Sequence, residues 1–209
     1  MPLYLDELNE PQRQAVTHKD GPLMIIAGAG SGKTKVLTTR IAHLMGYHHI
    51  DSFNILALTF TNKAAKEMKE RVIRTLGNNE ARNLYIGTFH SVFARILRGE
   101  ANKIGYPANF TIYDTDDAKS VIKTVLKEMD LDDKFYKPNL VYNRISSAKN
   151  SLISPAEYLN DTALQQEDGR ANRPAIGKIY DAYNKRCFKN GAMDFDDLLF
   201  KMYELLKYH

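Results

Sequence analysis

The sequence predicts an α/β protein: an incomplete parallel-sheet lobe carrying an inserted all-helical subdomain. Three observations carry this reading. Short apolar runs alternate with helical patterns over roughly the first ninety residues, and a glycine-rich turn joins the first run to a helix. From about Ser91 onward the apolar residues recur at helical spacing alone.

The apolar runs at 22–27, 54–59 and 84–87 are bounded by turn or polar residues and read as strands. Between them, 9–16, 33–46 and 61–76 carry helix starts or glycine stops, and the last buries Ala65, Met68, Val72 and Leu76 on one stripe. Strands separated by helices imply a parallel sheet, whose ligands gather at the carboxyl ends of its strands. In the helical part, Val92, Phe93, Ile96 and Leu97 form one stripe, and Ala118, Val121, Ile122, Val125, Leu126 and Met129 form another. Further helices are expected at 139–150, 173–189 and 194–208, with a polar, breaker-containing stretch over 154–172.

Composition bounds the setting. The 209 residues are 44% hydrophobic and 26% charged, an ordinary globular balance with enough apolar material for one substantial core and room for a second, smaller one. The single cysteine, Cys187, permits no internal disulfide, and no Cys or His neighbours stand at metal-ligand spacing. No apolar run approaches bilayer length and the first nine residues lack a signal-peptide pattern, so neither export nor a membrane anchor is expected and a reducing cytoplasm fits best.

A net charge of +4 is too mild to identify a polyanion partner, but its distribution is uneven. Residues 54–98 hold Lys63, Lys66, Lys69, Arg71, Arg74, Arg82, Arg95 and Arg98 against Glu67, Glu70 and Glu80. Two readings stand: a nucleic-acid contact, or a solvated helix face held by Glu67 with Arg71 and Glu70 with Arg74 at i,i+4.

The strongest chemical signal is Ala27-Gly28-Ala29-Gly30-Ser31-Gly32-Lys33-Thr34, set between an expected strand and a helix. Small residues let successive backbone N–H groups curl around phosphates, and the helix adds its positive dipole end. Lys33 can reach the terminal phosphates, and the Thr34 hydroxyl can coordinate Mg²⁺, which makes this pair the expected catalytic residues. A plain glycine turn has no use for Lys-Thr at this point. The loop by itself does not fix which nucleoside triphosphate binds.

Taken in order, five segments resemble superfamily I helicases of the UvrD/Rep/PcrA group over essentially the whole chain. They are Leu8-Asn9-Glu10-Pro11-Gln12-Arg13-Gln14-Ala15-Val16, the phosphate loop, Leu58-Thr59-Phe60-Thr61-Asn62-Lys63-Ala64-Ala65-Lys66-Glu67-Met68, Gly87-Thr88-Phe89-His90-Ser91, and Asp194-Phe195-Asp196-Asp197-Leu198-Leu199. The resemblance implies a P-loop NTPase with a RecA-like lobe. It makes 1–89 the start of that first motor lobe, 90–190 a helical insertion and 191–209 a return to the lobe that stops before the Walker B carboxylates.

Gln12 matches the family's adenine-reading glutamine, since its amide offers both a donor and an acceptor; Asn9 and Gln12 also form a capping-box pattern that explains Gln12 by helix initiation. Lys35 takes a position where these helicases usually place an arginine against the base, and lysine lacks that planar surface. Phe60 with Thr61, Asn62 and Lys63, and Thr88 with Phe89 and His90, match the family's single-stranded DNA contacts: rings for stacking, with polar groups for phosphate or sugar. Local pattern alone allows Phe60 as a core ring ending a strand, and His90 as a capping or packing residue.

Asp194, Asp196 and Asp197 are read as a helix cap and first-turn acids rather than a metal site. Lys134, Lys137, Arg144 and Lys149, with no acid between Lys134 and Pro155, suggest a duplex-backbone contact.

The resemblance thus implies an ATP- and Mg²⁺-dependent 3′–5′ DNA helicase of the bacterial cytoplasm and nucleoid, acting on single-stranded DNA and single-strand/duplex junctions. A C-terminal motor lobe of the same protein completes the site, and these residues alone are expected to be inactive in hydrolysis and unwinding. The competing readings are a nucleotide-responsive DNA-binding module, the helicase subunit of a helicase-nuclease, and a P-loop kinase acting on a small molecule.

Overall fold

A computed structural model describes residues 2–77 and 83–209; Glu80 and Arg82 of the basic stretch lie outside the described residues. The chain divides into two compact units, Met1–Val92 and Phe93–His209.

In the first unit, α1 (Glu10–Thr17) starts at Asn9, whose side chain accepts from the Gln12 backbone while the Gln12 side chain accepts from the Asn9 backbone. Pro11 sits at the helix start, where its missing N–H costs nothing. Next comes α2 (Lys33–Gly46), with the bounds its glycine start and glycine end predict. The strands β1 (Leu56–Thr59) and β2 (Tyr85–Thr88) pair in parallel through Leu56↔Tyr85 to Thr59↔Thr88. The crossover between them is α3 (Asn62–Leu76), capped by Thr61 and stopped by Gly77 at φ +68°. Its Met68 and Val72 pack with Ile41, Met45, Ile55, Ala57 and Leu84 to form the core of this unit. A smaller cluster of Leu5, Leu8, Val16 and Val36 pins the N-terminal segment and α1 to α2.

One strand expectation fails here. Residues 22–27 form no ladder among the described residues, and Leu23, Met24, Ile25 and Ile26 stand exposed. The apolar content that suggested a buried strand is real, but hydrogen-bonded neighbours make a strand, and β1 and β2 pair only with each other in the two-stranded sheet they form.

The second unit corrects the all-helical expectation. After α4 (Phe89–Gly99), β3 (Thr111–Tyr113) pairs in parallel with β4 (Ala192–Asp194). Three-residue strands are too short to display a period of two, so the surrounding helical pattern hides them. Between them lie α5 (Thr115–Glu128), α6 (Pro138–Asn150), α7 (Pro155–Asn160), α8 (Thr162–Arg170) and α9 (Ile176–Lys189); α10 (Phe195–Tyr208) follows β4. The stretch over 154–172 thus holds two short helices, α7 capped by Ser154 and α8 by Asp161. One core joins Ile122 and Leu126 of α5, Val141 and Ile145 of α6, and Ile179, Tyr183 and Cys187 of α9. A second joins Leu97, Phe110 and Met193 to Leu198, Met202 and Leu205 of α10.

A buried charge cluster locks this unit. The Lys149 ammonium lies 2.7 Å from Asp194 Oδ2 and 2.8 Å from Asp197 Oδ1, all three side chains being at most 2% exposed. Tyr183 donates its hydroxyl to Asp194 at 2.7 Å. Burial opposes the Lys149 charge, but Asp197 and Asp194 outweigh it and hold the ammonium pKa above its ordinary value. Asp194 also accepts from the Asp197 backbone at 2.8 Å, so it caps α10 as the sequence implies.

That cluster overturns the duplex-contact reading of Lys149, and Arg144 is committed as well. Arg144 bonds the Tyr158 hydroxyl at 2.9 Å, Asp168 at 3.1 Å and Glu167 at 2.7 Å. A basic run in sequence is not a basic surface when its members are drawn inward to buried acids.

Candidate nucleotide and nucleic-acid site

The glycine-rich loop opens α2 in the geometry its residues require. Gly30 and Gly32 take φ of +77° and +83°, where an L side chain is strained, and Gly32 is the residue from which the helix starts. A Cβ on Gly28 or Gly30 would meet nothing within 4 Å, so these positions face open space that a ligand can approach. The first helical bond runs from Val36 N to Gly32 O at 2.9 Å, leaving the N–H groups of Lys33, Thr34 and Lys35 ahead of the ladder. Ser31 closes the turn, its hydroxyl donating to the Gly28 carbonyl at 2.7 Å. The Lys33 ammonium folds back onto the carbonyls of Ala27 at 2.9 Å and Gly28 at 2.6 Å, contacts that an anion in the hollow can replace. Ala29 and Thr34 are exposed on the same loop. The donor set fits a triphosphate with its Mg²⁺: backbone amides, one ammonium and one hydroxyl.

Gln12 does two jobs. Its carbonyl oxygen completes the capping box, accepting from Asn9 N at 3.2 Å, while its amide donates to the Ser31 carbonyl at 3.0 Å. A Cβ on Gly32 would stand 3.1 Å from that amide nitrogen, so the glycine also makes room for Gln12. Each end of the amide thus makes one bond, which fixes its orientation and leaves its second N–H and the second acceptor site of its oxygen uncommitted. Lys35 is likewise engaged, with its ammonium 3.0 Å from Glu7 Oε2 and 3.2 Å from the Glu7 carbonyl. Sequence reading missed Glu7, because an ion pair spanning 28 residues leaves no local signature.

The second group of residues lies where β1 and β2 end. Thr59 and Thr88 are register partners, and each is followed by a phenylalanine. Phe60 is 93% exposed, which excludes the core-ring alternative; Phe89 is partly exposed and lies 6.2 Å from it, centroid to centroid. Thr61 caps α3 by accepting from Ala64 N at 3.2 Å, and Asn62 and Lys63 are exposed on its first turn. Thr88 bonds Ser91 through both hydroxyls at 3.0 Å, and His90 is half-buried on the first turn of α4. Gly87 permits this sharp exit, since a Cβ there would lie 2.6 Å from Ser91 Oγ and 2.8 Å from Val92 Cγ2. The charged flank of α3 shows the Glu67–Arg71 pair of a solvated helix face.

A glycine-rich loop opening a helix, in one unit with a parallel β-α-β crossover, is the arrangement of nucleotide-handling α/β proteins. Residues 8–209 match the UvrD/REP helicase N-terminal domain, and the chain belongs to that family. It is similar to the ATP-dependent DNA helicase PcrA of Bacillus subtilis, with 49% identity over 195 residues covering 93% of this chain and 25% of the relative. UvrD1 of Mycobacterium bovis is 48% identical over 196 residues, covering 93% of this chain and 25% of that protein. PcrA of Staphylococcus aureus is 45% identical over 199 residues, or 95% and 26%. The chain therefore spans about a quarter of the length of the curated relatives it matches. Among the described residues no helix is long and apolar enough to cross a membrane, and no His, Cys, Asp or Glu cluster could hold a metal ion.

Proposed function

We propose that these residues are the nucleotide-binding part of an ATP-driven motor that moves 3′ to 5′ along single-stranded DNA and separates duplex at junctions. On this reading, 1–89 and 191–209 belong to a RecA-like motor lobe and 90–190 to its inserted subdomain. Walker B carboxylates of that same lobe and a second motor lobe of the same protein complete the ATP site, and the motor works in the bacterial cytoplasm on nucleoid DNA. The observation that carries the proposal is the presence, within one compact unit, of a phosphate-loop hollow and an exposed aromatic edge at two registered strand ends.

The geometry supports the following roles. Residues Ala27 to Thr34 surround the phosphates with backbone amides, Lys33 exchanges its carbonyl partners for phosphate oxygens, and the Thr34 hydroxyl holds Mg²⁺. When bound, that Mg²⁺ supplies neutralisation of charge on the phosphates. Gln12 and Lys35 flank the base end. Phe60 and Phe89 stack bases without regard to sequence, while Thr61, Asn62, Lys63, Thr88 and His90 supply polar contacts to the strand.

DNA-stimulated ATP hydrolysis and strand separation by the intact protein test the proposal. Lys33→Ala is expected to abolish hydrolysis while leaving single-stranded DNA binding in place. Turnover indifferent to DNA, or phosphate transfer to a small-molecule acceptor, would replace the motor with a kinase.

A further inference from the structure

We propose that Glu7 is a positioning residue of the nucleotide site: its ion pair with Lys35 competes with an incoming nucleotide for the first turn of α2. The proposal deepens the nucleotide reading above and rests on it.

Two ammonium groups, Lys33 and Lys35, crowd the first turn of α2, where the helix dipole already places positive charge. That turn holds no acidic residue, and its cap is Gly32, which offers no side chain. Such an end needs an anion from elsewhere. Lys33 is met by loop carbonyls, but Lys35 is met by a carboxylate, Glu7 Oε2 at 3.0 Å. Phosphates bound in the hollow would supply the same charge to this turn, and a base set beside Lys35 would need its ammonium released, so Glu7 and nucleotide compete for one cationic helix end.

The pair suits an exchange. Its side chains are 72% exposed at Glu7 and 43% at Lys35, so water and salt weaken it and either partner can swing away. The backbone carrying Glu7 stays put, because Leu5 and Leu8 on either side of it are buried against Val16 and Val36. Glu7 can therefore release Lys35 without disturbing the core.

Calorimetric titration of the intact protein with adenylyl imidodiphosphate and Mg²⁺ tests this. Glu7→Gln is expected to tighten binding by about two- to fivefold, as for loss of an exposed competing pair. The gain should vanish in a Lys35→Ala background and fade as salt is raised. Unchanged or weaker binding by Glu7→Gln, or an equal gain with and without Lys35, would overturn the proposal. No binding by the unaltered protein would sink the nucleotide reading itself, a different failure.

Discussion

Phe60 and Phe89 stand one residue beyond the register pair Thr59 and Thr88, their ring centroids 6.2 Å apart and tilted by 44°. Parallel pairing is what brings them together: equal register at the strand ends delivers two rings, 29 residues apart in sequence, to one edge.

Phe60→Ala should therefore weaken single-stranded DNA binding by the intact protein on the order of tenfold, since stacking on one base is worth about 1–3 kcal/mol. Thermal stability should hardly move, because a ring 93% exposed contributes little to the core. Fluorescence anisotropy with a labelled oligonucleotide gives the first quantity and a melting curve the second. Undiminished affinity would remove Phe60 from the DNA path.

Gly87→Ala tests the exit from β2. The added methyl would overlap Ser91 Oγ and Val92 Cγ2, and such overpacking costs about 1–3 kcal/mol. A lower urea midpoint is expected, and no change would mean that the β2–α4 turn is looser than described.

Lys149→Met leaves Asp194 and Asp197 buried without their cation, which should cost about 3–5 kcal/mol. Arg144→Met, at a partly exposed network, should cost less. Equal losses in chemical denaturation would contradict the burial assigned to Lys149.

Alkaline pH should loosen the second unit. Burial, reinforced by Asp197, pushes the Cys187 thiol up to about 12 from its ordinary 9.0. The folded state then keeps a proton that the unfolded chain gives up, so stability is full below about pH 9 and falls as pH climbs toward about 12. Lys149, whose pKa is also raised on folding, acts in the same direction. Melting temperatures across this range should fall less steeply for Cys187→Ala than for the unaltered chain; parallel slopes would rule out the Cys187 contribution.

Much of this was legible in sequence, for physical reasons. The bounds of α2 follow from a glycine start and a glycine end, and the heptad-scale stripe of α3 identifies its buried face. Asp194 caps α10 as its spacing to Asp197 implies. Long-range pairings were not legible. The apolar run at 22–27 gives no hint of whether neighbours exist to pair with it, and β3 and β4 are each too short to announce themselves. Lys149 and Arg144 read as surface cations because their acidic partners lie 23 to 48 residues away in sequence. Glu7 was invisible for the same reason.

The central claim is that the amides of Gly28 to Thr34 form an anion cradle at the mouth of α2. Backbone amide resonances of the intact protein, followed during titration with ATP and Mg²⁺, test it most directly. Saturable shifts concentrated at Gly28, Gly30, Gly32, Lys33 and Thr34, and lost in Lys33→Ala, are the predicted result. Shifts confined to other regions, or none at saturating nucleotide, would contradict it.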